Sequence, residues 1–356
     1  MRNLLKMKNL TKYGPMLAKV SVLNRGLLKS ADYEELMNKT SVSEVASFLK
    51  NQTVYSVVLA GSNESLMHRE ELEERLNDAF AVDFEKIYSL ENAGNKRFLS
   101  YVFIRSEVEV LKNILRRIEN GRPDITISVP SFYRRHYSID VEKLAKSKSV
   151  REFLENLSGS RYEMQIRPHL TMEEHQNIFS VESALDMYYY TQIRKLTDEL
   201  TNKADKNVIA QAVGAEIDAL NLMWIYRLKK YFGTNKDLTY AFLIPNKFRL
   251  KKSEIIEFVQ TETVADFLAL AAKTPYGGLF SGGAEDVFLG HRYKNFVYNL
   301  HRKLQVEHPF TLTTEVSYLH FKEQEIKNIT SIAEGIRYGL PPDRMKRYVV
   351  GYLGVE

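Results

Sequence analysis

The sequence predicts an all-α protein, and three observations support this fold class. Apolar residues recur every three or four positions through most of the chain. Residues that cap helices precede several of these stretches. Alternation of apolar and polar residues, the pattern of a strand, is rare, and Ile125–Pro130 is its best example. We therefore expect long helices joined by short connections.

Four stretches carry the clearest helical pattern. Each places apolar side chains on one helix face and charged side chains on the other, as in helices that pack on a core. Residues Thr171–Glu174 also have the spacing of a capping box, which predicts a helix start there. The four stretches are Leu76-Phe80-Phe84-Ile87, Val108-Leu111-Leu115-Ile118, Val181-Leu185-Tyr188-Tyr189-Ile193-Leu196-Leu200 and Ile326-Ile329-Ala333-Ile336.

Length and composition exclude several classes of protein. The chain has 356 residues, which suits two or three domains or one repeat array, and it contains no Cys. The absence of Cys excludes a disulfide framework, a thiolate zinc site and a Cys nucleophile. A net charge of +5, without a basic stripe interleaved with aromatics, predicts no nucleic-acid binding. No apolar run approaches the roughly 20 residues of a membrane span, and no signal peptide is expected.

A two-part motif occurs three times, at intervals of about one third of the chain. Its first part, Ser/Thr-Val-x-Asp/Glu, predicts the N-terminus of a short helix. Its second part, Ser/Thr-x-Tyr, comes directly after that helix. Phe48, Phe153 and Phe267 are the expected core anchors of these short helices. The copies are Ser41–Glu44 with Thr53–Tyr55, Ser149–Glu152 with Ser160–Tyr162, and Thr263–Asp266 with Thr274–Tyr276.

A pair of acidic residues follows each copy of the motif. The pairs are Glu107 and Glu109, Glu216 and Asp218, and Glu323 and Glu325. We expect each pair to open a helix, where an acidic side chain interacts favourably with the helix dipole. The two members point to different helix faces, which disfavours a shared metal or acid–base site. Gly121, Gly233 and Gly339 are predicted to end these helices.

The two patterns together predict an internal triplication. Both patterns occur three times, in the same order and at the same period. The alternative explanation is chance similarity among helical segments. The predicted pseudo-symmetric units are 1–121, 122–233 and 234–356, with approximate boundaries. A threefold arrangement of helical units tends to enclose a central opening, an inference that follows from symmetry alone.

The sequence contains no recognisable active-site motif. It lacks the P-loop, the G-x-G-x-x-G loop, the H-E-x-x-H motif and the G-x-S-x-G elbow. The glycine-rich stretch Tyr276–Gly283 is predicted to be a hinge between helices, because no strand or Lys accompanies it. We therefore expect no catalytic, cofactor-binding or metal-binding residue.

Two basic clusters precede the second and third copies of the motif. The residues are Arg134, Arg135, Arg249, Lys251 and Lys252. A solvated surface is the ordinary explanation of such clusters. Their matching positions make an edge that faces a shared partner the alternative hypothesis.

Three parts of the chain resemble one known family. The run Tyr318–Ile329, continued by Glu334–Pro342, looks like the signature of the family formed by the C subunit of V-type (V/A-type) ATP synthases and the d subunit of eukaryotic V-ATPases. The early residues Leu27-Leu28, Asp32-Tyr33, Leu36 and Thr53-Val54-Tyr55 resemble the N-terminal pattern of that family, and Asn221-Leu222 before Arg227 resembles its middle portion.

The resemblance implies a funnel-like, all-helical and non-catalytic rotor protein. Such a protein is a socket of the central stalk, between the axle subunits and the proteolipid ring in the membrane. It couples ATP chemistry to H⁺ or Na⁺ transport as one peripheral copy per complex, on the cytoplasmic face. The resemblance implies no cofactor and no direct nucleotide binding. A helical-repeat adaptor with unrelated partners is the alternative, and an enzyme without a recognisable motif is a third hypothesis.

Overall fold

The computed structural model describes residues 2–121, 127–170, 178–233, 236–245, 248–283 and 287–352. Within these ranges the chain forms helices and no strand, which confirms the all-α prediction. The strand-like residues 127–130 are irregular, because no neighbouring strand pairs with them. Ile125, Thr126 and the predicted capping box Thr171–Glu174 lie outside the described residues.

Eighteen α-helices lie in the described ranges. Three segments form 3₁₀ turns, namely Val54–Ser56, Glu64–Leu66 and Gly277–Phe280. A π turn at Leu228–Phe232 extends α12. The helices are α1 (Arg2–Arg25), α2 (Ser30–Met37), α3 (Val42–Gln52), α4 (Arg69–Leu90), α5 (Ala93–Leu99), α6 (Tyr101–Glu119), α7 (Ser131–Arg134), α8 (Val141–Ala145), α9 (Val150–Leu157), α10 (Glu163–Leu170), α11 (Ile178–Asp198), α12 (Lys203–Arg227), α13 (Lys236–Ala241), α14 (Lys252–Gln260), α15 (Val264–Ala271), α16 (Leu289–Glu307), α17 (Thr313–Arg337) and α18 (Pro342–Lys346).

The first part of the repeated motif caps a short helix in all three copies, as predicted. Ser41, Ser149 and Thr263 precede α3, α9 and α15, and each side-chain oxygen accepts a hydrogen bond from a backbone N–H of the first turn. These bonds satisfy amides that have no partner within the helix. The three helices bury the predicted anchors Phe48, Phe153 and Phe267.

The three predicted glycine stops are also confirmed. Gly121, Gly233 and Gly339 have φ values of 64°, 53° and 65°. This left-handed conformation turns the chain away from the helix axis and is easily adopted only by glycine.

The chain divides into two compact units. Unit 1 comprises Met1–Glu91 and Val287–Glu356, and unit 2 comprises Asn92–Asp286. In unit 1, α17 packs against α1, α2, α4 and α16. In unit 2, α11 packs against α5, α6, α10 and α12. The predicted division into three units at 121 and 233 remains a prediction.

The longest apolar helix is a core element of unit 2. By length and composition alone, Lys203–Tyr231 is apolar enough to cross a membrane. However, 83% of its most apolar window is buried inside the protein. Side chains that contact other helices of the same unit account for this apolar character.

Candidate functional site

Among the described residues, three carboxylates in the middle of long helices are at most 3% exposed. Glu107 lies in α6, Asp218 in α12 and Glu325 in α17, and their side chains are 0%, 1% and 3% exposed. A buried carboxylate is unfavourable unless hydrogen bonds or a nearby cation compensate its charge. The partners of these three groups therefore define the candidate site.

Each carboxylate accepts a hydrogen bond from the Tyr that ends one copy of the motif. Tyr55 Oη donates to Glu325 Oε1 at 2.7 Å, and Tyr162 Oη donates to Glu107 Oε2 at 2.6 Å. Tyr276 Oη donates to Asp218 Oδ2 at 3.0 Å. All three tyrosines are at most 1% exposed. Both partners of each bond lie in the same unit.

The Ser or Thr two residues before each Tyr fixes the local backbone. The hydroxyls of Thr53, Ser160 and Thr274 accept a hydrogen bond from the backbone N–H of the following Tyr at 3.2, 3.3 and 3.2 Å. Such local bonds stabilise a turn in place of further helix. This explains why the second part of the motif is Ser/Thr-x-Tyr.

Backbone N–H groups from an incoming loop complete each site. Leu28 N donates to Glu325 Oε2 at 2.5 Å, and the backbone N and hydroxyl of Ser138 both donate to Glu107. Arg249 N and Leu250 N donate to Asp218 Oδ2 at 3.0 and 3.1 Å. A carboxylate that accepts several such bonds remains stable as an anion in a buried position. Each site thus joins one long helix to one loop and one motif.

In the Glu325 and Glu107 sites a cation lies beside the carboxylate. Lys322 Nζ lies 2.9 Å from Glu325 Oε1 and 3.8 Å from the centre of the Tyr55 ring. Lys322 is only 1% exposed. Arg161 forms an ion pair with Glu107.

The titration properties of the tyrosines favour a structural role. Burial, followed by the adjacent carboxylate, raises the pKa of Tyr55, Tyr162 and Tyr276 above the ordinary value of a tyrosine. The phenols therefore stay protonated and act as permanent donors to the carboxylates. A general acid or base requires a pKa near the working pH, so this arrangement suits fixed links rather than proton transfer.

The structure corrects the predicted role of the acidic pairs. The pairs lie in the middle of α6, α12 and α17 and not in their first turns, so the predicted interaction with the helix dipole is wrong. Each pair does divide between two faces, as predicted: Glu109 is 62% exposed, whereas Glu107 is buried. The buried member is the first of its pair at Glu107 and the second at Asp218 and Glu325.

All five predicted basic residues are exposed, and they lie in or next to the segments of unit 2 that donate to Glu107 and Asp218. Arg134 forms an ion pair with Glu142 at 2.8 Å, and the Arg135 guanidinium lies 5.8 Å from the centre of the Phe132 ring. Both precede Ser138, the loop residue that donates to Glu107.

The second cluster lies in the loop that binds Asp218 and at the start of the next helix. The backbone of Arg249 donates to Asp218, and the backbone N of Lys251 donates to Glu254 Oε2 at 2.8 Å. Lys252 is the first residue of α14. The two clusters thus adjoin two different donor segments along the chain. That they form one edge remains a prediction.

Two asparagines in the long helices each bind the backbone of a distant residue, and the sequence analysis did not identify these contacts. Asn221 donates through Nδ2 to the carbonyl of Ile244 at 2.8 Å and accepts through Oδ1 from its N–H at 2.9 Å. Asn328 makes the same pair of bonds with Val350, at 2.9 and 3.0 Å. Each Asn lies three residues after a buried carboxylate, and this shared spacing is the sequence signal that could have found them.

The last candidate from the sequence is the glycine-rich stretch Tyr276–Gly283. The glycine-rich stretch lies between α15 and α16 and follows a helix, and residues 284–286 are outside the described ranges. Within the described part of the chain, no group of three His, Asp or Glu side chains is placed to hold a metal ion.

Comparison with known proteins identifies relatives over most of the chain. The family model described as ATP synthase (C/AC39) subunit matches residues 16–348. The C subunit of the A-type ATP synthase from Methanosphaera stadtmanae is 23% identical over 346 residues, covering 91% of this chain and 84% of that protein. The protein of the same name from Methanosarcina mazei is 24% identical over 357 residues, covering 97% and 94%.

Proposed function

The chain belongs to the ATP synthase (C/AC39) subunit family, and on this premise we propose that it is a non-catalytic central-stalk subunit of a V-type ATPase or ATP synthase. In this role it is a socket between the axle subunits and the proteolipid ring, and it couples ATP chemistry to H⁺ or Na⁺ transport. The observation that carries the proposal is the match over residues 16–348, which includes helices of both units.

The buried carboxylate sites support a role in transmitting torque. A part that passes torque must resist deformation, and closely packed helices do so. Each site adds fixed hydrogen bonds between the middle of a long helix, a loop and a turn. We propose that these links stiffen the protein.

The recurrence of the same site supports the proposed division of the chain into three similar helical units. Each site has the same parts: an acid in a long helix, a Tyr that follows Ser/Thr-x, and a backbone donor from a loop. The donor precedes the Tyr by similar intervals, with Leu28 before Tyr55, Ser138 before Tyr162 and Leu250 before Tyr276.

We propose that nucleotide binding belongs to other subunits of the complex. Titration calorimetry with ATP and the purified chain tests this division of labour, and we expect no heat of binding. Tight binding of ATP would count against a non-catalytic role.

We also propose that the exposed basic residues Arg134, Arg135, Arg249, Lys251 and Lys252 face a partner in the complex. Charge reversal of one cluster, Arg134→Glu with Arg135→Glu, is expected to weaken assembly while the purified chain stays folded. Reversal of Arg151, which is 89% exposed and pairs with Glu155 on α9, is the matched control. Normal assembly of the cluster variant would refute the proposal that these basic residues face a partner.

Depletion of the chain from membrane vesicles tests the coupling role. The chain is proposed to sit on the cytoplasmic face as a peripheral component. Without it, we expect residual ATP hydrolysis but no ATP-driven ion gradient, and addition of the purified chain restores the gradient. Full ion transport in depleted vesicles would overturn the proposal.

A further inference from the structure

We propose that unit 1 binds the surface of an anionic lipid bilayer directly, through an apolar patch formed by Val22, Val54 and Val57 and the cations beside it. We name these three side chains the valine patch. The proposal concerns the chain alone and does not rest on the proposed place in a complex.

The charge distribution of the chain is strongly asymmetric. Residues 1–31 contain seven Lys and Arg and no Asp or Glu, whereas the remaining 325 residues contain 43 Lys and Arg and 45 Asp and Glu. The cationic stretch is the helix α1 and the turn after it. A helical segment of this composition is typical of contact with an anionic surface.

The turn after α3 holds two valines outward. Residues 53–63 contain no charged side chain. Tyr55 and Leu59 are 0% exposed and anchor the turn, whereas Val54 is 50% and Val57 is 74% exposed. Side chains three residues apart in a 3₁₀ turn lie on one side of it, so both valines share a face.

The end of α1 lies against this turn. A Cβ placed on Gly26 would lie 2.7 Å from Val54 Cγ1, which shows direct contact between the two segments. Val22 lies four residues before Gly26, in the last turn of α1, and is 65% exposed. Exposed Arg25 and Lys29 and half-buried Lys19 belong to the same segment.

Two acidic side chains that adjoin α1 and the turn in sequence have partners within the protein. Asp32 accepts a hydrogen bond from the backbone N–H of Lys29 at 2.7 Å, and Glu64 forms an ion pair with Lys50. Glu325 is buried beneath Tyr55. The exposed valines thus adjoin the exposed cations Arg25 and Lys29.

This combination matches the interface of an anionic bilayer. Apolar side chains insert at the boundary of headgroups and acyl chains, while Lys and Arg interact with anionic headgroups. The buried anchors hold the valines outward before binding, so little ordering is required on contact. An apolar protein surface would not by itself require the acid-free cationic stretch.

Sedimentation with lipid vesicles tests the proposal on the purified full-length chain. The probes are vesicles of phosphatidylcholine alone and vesicles that also contain phosphatidylglycerol. We expect binding only to the anionic vesicles, with an affinity that falls as salt is raised. Absence of binding to anionic vesicles at low salt would overturn the proposal, and an apolar protein partner would then be the better occupant.

Substitutions distinguish binding through the valine patch from nonspecific binding to vesicles. Val54→Ser with Val57→Ser is expected to weaken vesicle affinity by about tenfold or more, because two apolar side chains no longer insert. Arg25→Glu is expected to weaken it by about fivefold or more. Val306→Ser, on α16 and 75% exposed, is the matched control and should have no effect. Equal affinities of the double variant and this control would overturn the assignment.

A fluorescent probe gives a second measurement that does not depend on a loss of binding. The natural chain has one Trp, Trp224, which is 7% exposed in unit 2 and supplies a constant background. In the Val57→Trp variant, the fluorescence of the introduced Trp should shift to shorter wavelength when anionic vesicles are added. An unchanged spectrum at saturating vesicles would show that residue 57 stays in water and would contradict the proposal.

Discussion

Replacement of Glu325 by Gln removes the counter-charge of an almost fully buried lysine. Lys322 and Glu325 are 1% and 3% exposed, and Nζ and Oε1 are 2.9 Å apart. Loss of one partner from a buried ion pair destabilises a protein by about 3–5 kcal/mol, because the other charge remains buried without compensation. Gln keeps the shape and one acceptor oxygen, so we expect about 3 kcal/mol, at the lower end of this range.

Calorimetric melting of the purified chain measures this effect. The chain has two compact units, so two transitions are expected and the change should affect that of unit 1. A loss of about 3 kcal/mol corresponds to a melting temperature lower by about 6–12 °C for a unit of this size.

Glu323→Gln is the matched control for this measurement. It also removes one charge from α17, but its partner Lys327 is 48% exposed, so the expected loss is below about 1 kcal/mol. In the double variant Lys322→Met with Glu325→Gln, both buried charges are gone, and the loss should be smaller than the sum of the single effects. Equal melting temperatures of Glu325→Gln and Glu323→Gln would refute the reasoning.

Three further predictions concern other contacts. Asn221→Ala leaves the backbone groups of Ile244 unpaired in the core, so denaturant unfolding should show a loss of about 2–5 kcal/mol; a loss below about 0.5 kcal/mol would contradict the contact. Gly339→Ala imposes a side chain at φ 65° and should cost about 1 kcal/mol, whereas Gly339→Asn should cost less, and the opposite order would be inconsistent with the left-handed stop. Burial lowers the pKa of His291, whose Nε2 lies 2.7 Å from Asn295 Nδ2, so the unfolded chain binds the proton more readily. Thermal stability should therefore fall as pH drops below about 6.5, and His291→Gln should reduce that fall; an unchanged pH dependence would exclude this group.

Local sequence patterns predicted the local structure well. The caps at Ser41, Ser149 and Thr263 and the left-handed glycines depend on bonds within a few residues, so spacing alone identifies them. The apolar periodicity predicted the long helices, and the repeated motif predicted the buried Phe anchors of the short ones.

The carboxylate sites could be predicted only in part. The sequence analysis identified both the motif tyrosines and the acidic pairs, but it did not connect them. Tyr55, Tyr162 and Tyr276 meet carboxylates that are 270, 55 and 58 residues away, and tertiary packing alone decides such pairings. Spacing also does not tell which member of an acidic pair is buried. The position of each pair within its helix was predicted wrongly because α6, α12 and α17 begin well before the pairs, at Tyr101, Lys203 and Thr313.

The basic residues illustrate a second limit of sequence reasoning. Their exposure agrees with the expected solvated face, and Arg134 has an acidic partner on the same surface. Whether they also meet another protein of the complex depends on the shape of that protein, which this chain does not encode. A partner-facing edge therefore remains a proposal that assembly experiments must test.

Native mass spectrometry of the complex that contains this chain tests the central claim most directly. The tagged chain is purified from native membranes in mild detergent, and the co-purifying proteins are identified and counted. The account predicts one copy of this chain together with a proteolipid ring, axle subunits and catalytic subunits. Recovery of the chain from the soluble fraction alone, without any of these partners, would contradict the account and favour a helical adaptor with unrelated partners.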